Sequence, residues 1–108
     1  MTQLFQSETA PVDLRVIDTE GSPLLNEVAV FDGRGHLLYE ALTPESSHGY
    51  FSTDQTRPLP DLLRDLKPLL EGHPVVAHQA DHDRSVLTAS FESCGLTAPS
   101  LEWRCTLQ

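Results

Sequence analysis

The spacing of apolar residues, first of period two and then helical, constrains most what this chain can fold into. Apolar and polar residues alternate over 12–18, which predicts a half-buried strand, and the apolar-rich segments 25–31 and 36–42 are predicted as two further strands. The turn-forming segment Asp32-Gly33-Arg34-Gly35 separates the second strand from the third. We therefore expect the first half of the chain to form an antiparallel meander.

The second half alternates between helical and extended patterns. Residues 58–70 carry leucines at helical spacing, and a second helix is predicted over about 81–94. The apolar segment 74–77 and the alternating segment 101–107 are predicted as strands. Three strands followed by helix, strand, helix and strand predict an α/β fold with a mixed sheet, in which right-handed crossovers place the last two strands parallel to the first.

Size and composition indicate one globular domain, which we assign to residues 12–108 after an N-terminal tail, residues 1–11. The 108 residues suffice for a single core. Residues 43–57 lack periodicity and are predicted as a long loop, which is uncommon in compact domains unless it is functional. We predict buried free thiols at Cys94 and Cys105, whose number and spacing match no disulfide framework or metal site.

Charge and hydropathy restrict the location and the partners of the chain. No apolar run approaches the ~18 residues that a membrane span needs, and the N-terminus lacks the regions of a signal peptide, so we expect a cytoplasmic protein without membrane contact. Seven Lys and Arg against 16 Asp and Glu residues give a formal net charge of −9. This composition argues against a broad basic surface for nucleic acid, but it leaves a metal-dependent phosphodiester site open.

Two carboxylates close the first predicted strand. Asp18 and Glu20 share one face of that strand, and they continue a stripe that we expect to be buried, formed by Val12, Leu14 and Val16. Buried carboxylates repel each other and resist desolvation, and Mg²⁺ or Mn²⁺ resolves both problems because these ions prefer carboxylate oxygens. The alternative is that the strand ends at Thr19 and that both acids are solvated turn residues.

A second polar cluster follows the fourth predicted strand and opens the second helix, with the sequence His78-Gln79-Ala80-Asp81-His82-Asp83-Arg84. Helix capping and the helix dipole account for an aspartate at position 81. They account less well for the presence of His78, His82 and Asp83 in this segment. A zinc site at His78 and His82 is an alternative that lacks further ligands at a useful spacing. The strand-rich first half argues against an HD-type metal phosphohydrolase, because that family is all-helical.

Two longer segments combine these clusters with their flanking strands. The first is Val16-Ile17-Asp18-Thr19-Glu20-Gly21, followed by Asn26-Glu27-Val28-Ala29-Val30 and Asp32-Gly33-Arg34-Gly35. The second is Val75-Val76-Ala77-His78-Gln79-Ala80-Asp81-His82-Asp83-Arg84. Together they resemble the first two motifs of the DEDD superfamily of DnaQ-like (RNase T-like) 3′–5′ exonucleases. The resemblance extends over residues 12–108 and implies an RNase H-like fold.

The resemblance assigns roles to five residues. Asp18, Glu20 and Asp83 match carboxylates that are catalytic in the family and hold two Mg²⁺ or Mn²⁺ ions. His78 and Gln79 match positions beside the substrate. The implied reaction is hydrolysis of phosphodiester bonds at the 3′ end of single-stranded DNA or RNA, where the two ions activate a water and stabilise the leaving oxygen.

The sequence also departs from the family pattern. Gln79 replaces the usual Asn, His82 replaces the usual Phe, and the loop 21–26 lacks the usual T-T-G. The third motif, H-x-x-x-x-D or Y-x-x-x-D, supplies the general-base histidine and the fourth carboxylate, and no His follows His82. We therefore expect an RNase H-like domain cut short at its C-terminus, with an incomplete two-metal site and little or no activity.

The missing third motif leaves two other functions open. One is a non-catalytic RNase H-like domain that serves as an interaction or assembly module, although the retained carboxylates favour a metal site. The other is a small-molecule phosphohydrolase that uses the same residues. The missing C-terminal helix is expected to expose apolar surface on one side of the sheet, and such surface favours association into homo-oligomers.

Overall fold

The computed structural model of the protein describes residues 14–45 and 55–105. The elements follow the predicted order of three strands, helix, strand, helix and strand: β1 Arg15–Glu20, β2 Glu27–Asp32, β3 Leu37–Leu42, α1 Leu59–Leu70, β4 Pro74–Ala77, α2 Ala80–Ser93 and β5 Glu102–Cys105. The predicted loop 43–57 and the predicted strand starting at residue 12 lie partly outside the described residues. No helix in the described ranges is long and apolar enough to cross a membrane.

The five strands form one mixed sheet in the order β3-β2-β1-β4-β5. β1 pairs antiparallel with β2, and β2 pairs antiparallel with β3. β4 lies parallel to β1, and β5 lies parallel to β4. The predictions of an α/β fold, of the meander and of two final strands parallel to the first are therefore confirmed.

Both described helices cover the same face of this sheet. Buried side chains of α1 and α2 belong to a single apolar cluster with strand residues that include Ile17, Val30 and Val75. Because successive strand residues point to opposite faces, we call the side of Ile17 and Thr19 the core face, and the side of Val16 and Asp18 the open face. The periodic leucines of α1 account for much of the core: Leu62, Leu63, Leu66 and Leu70 are fully buried.

The expected buried stripe on β1 is wrong. Ile17 and Thr19 are the buried residues of the strand, whereas Val16 is half-buried and Asp18 is exposed. Leu14 is buried but precedes the strand, and Val12 lies outside the described residues. The physical reason is the position of the helices, which remove the core face from water and leave the other face uncovered by helix among the described residues.

A polar cluster ties β3 to α1 at the edge of the core. Asp65 accepts hydrogen bonds from the Tyr39 hydroxyl at 2.6 Å and from the Arg57 Nε at 2.9 Å. Burial and the hydrogen bond to Asp65 raise the pKa of Tyr39. Burial opposes ionisation of Asp65, but the hydrogen bonds from Arg57 and Tyr39 outweigh it and hold the pKa of that carboxyl below its usual value.

The cysteine prediction is met only in part. Cys94 is a free thiol near the end of α2, and it is half-buried rather than buried. It packs against the apolar cluster. Cys105 ends β5, and the environment of its side chain lies outside the described part of the chain.

Candidate functional site

The parallel pairing of β1 with β4 brings the two polar clusters to one edge of the sheet. Ile17 is the register partner of Ala77, so the end of β1 lies beside the end of β4. Asp18 and Glu20 continue β1 beyond this pair, and α2 begins three residues after Ala77, at Ala80. The carboxyl ends of adjacent parallel strands are where α/β folds commonly place their sites.

A short connection returns the chain from β1 to β2 beside these acids. The Asn26 backbone N–H donates to the Glu20 carbonyl oxygen at 2.8 Å. Gly21 has a φ of +132°, and a Cβ there would collide with the Leu24 carbonyl oxygen. Glycine is required at this position on both counts, and the tight connection holds the end of β1 in place.

The second-motif carboxylate is buried against β1. Asp83 lies in the first turn of α2 and is 5% exposed. Its Oδ1 accepts a hydrogen bond from the hydroxyl of Thr19, which is also 5% exposed. Thr19 lies between the two predicted ligands of β1, and its side chain points to the core face, where α2 packs.

The charge state of Asp83 reflects this burial. Burial raises the pKa of Asp83 above its usual value, and the negative charge of Asp18 adds to the rise. The hydrogen bond from Thr19 and the electrostatic effect of the neighbouring His82 lower the pKa of Asp83 without cancelling the rise. A hydrogen bond with the Gln79 backbone acts in the same direction. The Asp83 carboxyl is therefore harder to ionise than an ordinary aspartate.

The first-motif carboxylates point the other way. Asp18 is exposed and Glu20 is half-buried, both on the open face. Glu20 is the antiparallel partner of Glu27, which is buried. The charge of Asp18 acts on Asp83, but Asp18 points to the open face, whereas α2 packs Asp83 against Thr19 on the core face.

The chemistry of Asp18, Glu20 and Asp83 suits Mg²⁺ or Mn²⁺, because carboxylate oxygens are the ligands that these ions prefer. Within residues 14–45 and 55–105, no three His, Cys, Asp or Glu side chains form a group that could hold a metal ion. In this structure the three carboxylates are not gathered into such a group, and a metal site that uses them stays a prediction.

The predicted substrate-contacting residues lie on the surface of the same edge. His78 and Gln79 are exposed and directly follow β4. Gln79 is the N-cap residue of α2, and its side chain makes no capping hydrogen bond. The two side chains are accessible to a ligand at the edge where Asp18 lies.

Sequence reasoning missed Thr19 as a residue of this site. Its position between Asp18 and Glu20 places it on the opposite face of β1, where α2 supplies Asp83. A hydroxyl flanked by two carboxylates in a strand was the only sequence feature that pointed to it.

The chain matches no known protein-family model and no curated protein. The DEDD resemblance therefore rests on the sequence motifs quoted above.

Proposed function

We propose that the chain is an RNase H-like domain of the DEDD exonuclease type, whose reaction is metal-dependent hydrolysis at the 3′ ends of single-stranded DNA or RNA. The observation that carries the proposal is the parallel pairing of β1 with β4, which juxtaposes the D-x-E segment and the start of α2. The strand order and the two crossovers are compatible with such a fold. Mg²⁺ or Mn²⁺ is the proposed cofactor.

We further propose that the 108-residue chain is inactive or only weakly active. No histidine follows His82, so the general base of the third motif has no counterpart. General acid–base catalysis typically contributes about 10²–10⁴-fold, and we expect activity at least ~10²-fold below that of an enzyme with all three motifs. Among the described residues, Asp18, Glu20 and Asp83 do not form a group that could hold a metal ion, which supports the same expectation.

Calorimetric titration with Mn²⁺ tests the proposed cation site. Wild-type protein is compared with Asp18→Asn and Asp83→Asn, and Glu92→Gln serves as a matched control because Glu92 is an exposed carboxylate far along α2. The proposal expects binding that both site variants weaken and the control leaves unchanged. Equal binding by all four proteins would reject it.

A substrate panel tests the proposed reaction. Single-stranded DNA, single-stranded RNA and free nucleotides, each with Mg²⁺ or Mn²⁺, are incubated with wild type and Asp18→Asn. Slow shortening of a 3′ end that Asp18→Asn abolishes supports the exonuclease assignment. Hydrolysis confined to free nucleotides would instead identify a small-molecule phosphohydrolase.

A non-catalytic interaction or assembly module is the second candidate. The observation that favours it is the Thr19–Asp83 hydrogen bond, which uses the second-motif carboxylate to hold α2 against β1. In this role Asp83 is a structural residue of the core. The candidate gains support if Mn²⁺ binds the site variants and wild type equally while Asp83→Ala lowers thermal stability.

A further inference from the structure

One face of the sheet carries apolar side chains that no described helix covers. A row of cross-strand partners crosses four strands, because Leu37 pairs with Phe31, Phe31 with Val16, and Val16 with Val76. Cross-strand partners share a face, which is here the open face. We call these four residues the apolar row.

The apolar row is accessible. Leu37 is 51% exposed. Phe31, Val16 and Val76 are half-buried. At a strand spacing of about 4.8 Å the row is roughly 14 Å wide, and a contiguous apolar surface of this kind marks an interaction site more often than ordinary surface.

Carboxylates dominate the rest of the open face. The strand residues that point to it include Asp18, Glu20, Glu40 and Glu102, which are exposed or half-buried, whereas Glu27 on the same face is 1% exposed. Among the described strand residues on the open face, the one Lys or Arg is Arg104, which forms an ion pair with Glu102 at 2.6 Å. The apolar row is thus bordered by negative charge, and a complementary ligand carries positive charge beside bulky apolar groups.

The segments of these 108 residues that lie outside the described ranges carry no such positive charge. All seven Lys and Arg residues lie within the described ranges, so residues 1–13, 46–54 and 106–108 contain none. A second copy brings a net charge of −9 and would set the same carboxylates against each other. Like charges in direct opposition disfavour association.

We propose that the open face is a docking surface for a cationic amphipathic segment of a partner protein. Leucine-like side chains of that segment cover the apolar row, and its Lys or Arg residues lie over Asp18, Glu20 and Glu40. The six residues of β1 extend about 20 Å, which a helix of about 14 residues matches.

The test uses two fluorescent peptides of that length, one of leucine and lysine and one of leucine and glutamate in the same amphipathic order. Fluorescence anisotropy with the 108-residue chain is expected to give at least about tenfold tighter binding of the lysine peptide, and amide NMR shifts are expected to change along the apolar row rather than in α1 or α2. Equal binding of both peptides, or shifts centred on the helices, would overturn the proposal.

Charge-matched variants separate this surface from general attraction to an acidic protein. Glu40→Lys on the open face is expected to weaken binding about fivefold, whereas Glu92→Lys on α2 makes the same change of net charge and is expected to have less than a twofold effect. Equal weakening by both variants would show that only net charge matters.

Apolar variants test the row directly. Phe31→Ser is expected to weaken binding of the lysine peptide about tenfold. Leu37 is more exposed than Phe31, so Leu37→Ser tests the row even if Phe31→Ser fails to fold. Unchanged binding by a folded Leu37→Ser protein would overturn the proposal. A wild-type dimer that Leu37→Ser converts to a monomer would identify the second copy as the occupant instead.

Discussion

The hydrogen bond between Thr19 and Asp83 makes a quantitative prediction about stability. Both residues are 5% exposed, and the hydroxyl donates to a carboxylate in the first turn of α2. Thr19→Val keeps the shape of the side chain and removes only the donor. Hydrogen bonds to charged groups contribute about 1.5–3 kcal/mol, so we expect the substitution to lower the free energy of unfolding by that amount at pH 7.

The effect depends on pH because the hydroxyl favours the ionised carboxylate. The Thr19 hydrogen bond lowers the pKa of Asp83 against the larger effect of burial, so the folded-state pKa stays above the ordinary value. Ionisation of Asp83 therefore destabilises the fold, and Thr19→Val increases that destabilisation. As the pH falls through the raised pKa, the carboxyl becomes neutral and the cost of Thr19→Val declines to about 0.5–1.5 kcal/mol.

A double-mutant cycle of Thr19→Val and Asp83→Asn isolates the interaction energy between the two side chains. Asparagine keeps a carbonyl acceptor without the charge, so Thr19→Val is expected to cost about 0.5–1.5 kcal/mol in that background at any pH. Urea unfolding at pH 7, followed by far-UV circular dichroism and by the fluorescence of Trp103, the only tryptophan of the chain, measures each corner of the cycle.

Thr43 provides the matched control. It is 1% exposed, and within the described ranges its hydroxyl has no hydrogen-bond partner. Thr43→Val is therefore expected to leave stability unchanged or to raise it, because it removes a buried polar group without a partner. The reasoning is refuted if Thr19→Val costs no more than Thr43→Val, or if its cost is the same with aspartate and asparagine at position 83.

Three further predictions concern the scaffold and are measured by urea unfolding. Asp65→Asn is expected to lower the free energy of unfolding by about 1 kcal/mol at neutral pH. Because the folded-state pKa of Asp65 is lowered, this loss is present above about pH 4 and shrinks as the pH falls further. A loss of stability that persists in acid would contradict the ion-pair explanation. Leu66→Ala, at a fully buried site, is expected to lower the free energy of unfolding by about 2–5 kcal/mol. Leu37→Ala, at an exposed site, is expected to lower it by less than about 0.5 kcal/mol. Similar losses in the two variants would contradict the assignment of the core. Gly21→Ala is expected to lower the free energy of unfolding by well over about 1 kcal/mol. Gly35→Ala is expected to cost less, because Gly35 also has a positive φ but a Cβ added there meets no atom within 4 Å. Equal costs would show that the contact with Leu24 is unimportant.

The order of the elements was predictable because the patterns that define it are local. Six leucines at helical spacing specify α1 wherever the helix packs, and the run Asp32-Gly33-Arg34-Gly35 predicts a turn between two apolar-rich segments. Crossover handedness then restricts how β4 and β5 join the sheet. These features depend on neighbours in sequence, and the structure reproduces them with small shifts at the ends of elements.

The environment of the candidate site was decided by tertiary structure. Around β1, apolar residues occur on both faces, Val16 on one and Ile17 on the other, so alternation alone does not reveal which face the helices cover. α1 and α2 pack on the side of Ile17, which buries Thr19 against Asp83 and leaves Asp18 exposed. The sequence alone thus placed the carboxylates at one edge of the sheet. Packing between residues far apart in sequence determined that Asp18 and Glu20 lie on the open face, whereas Asp83 lies beside Thr19 on the core face.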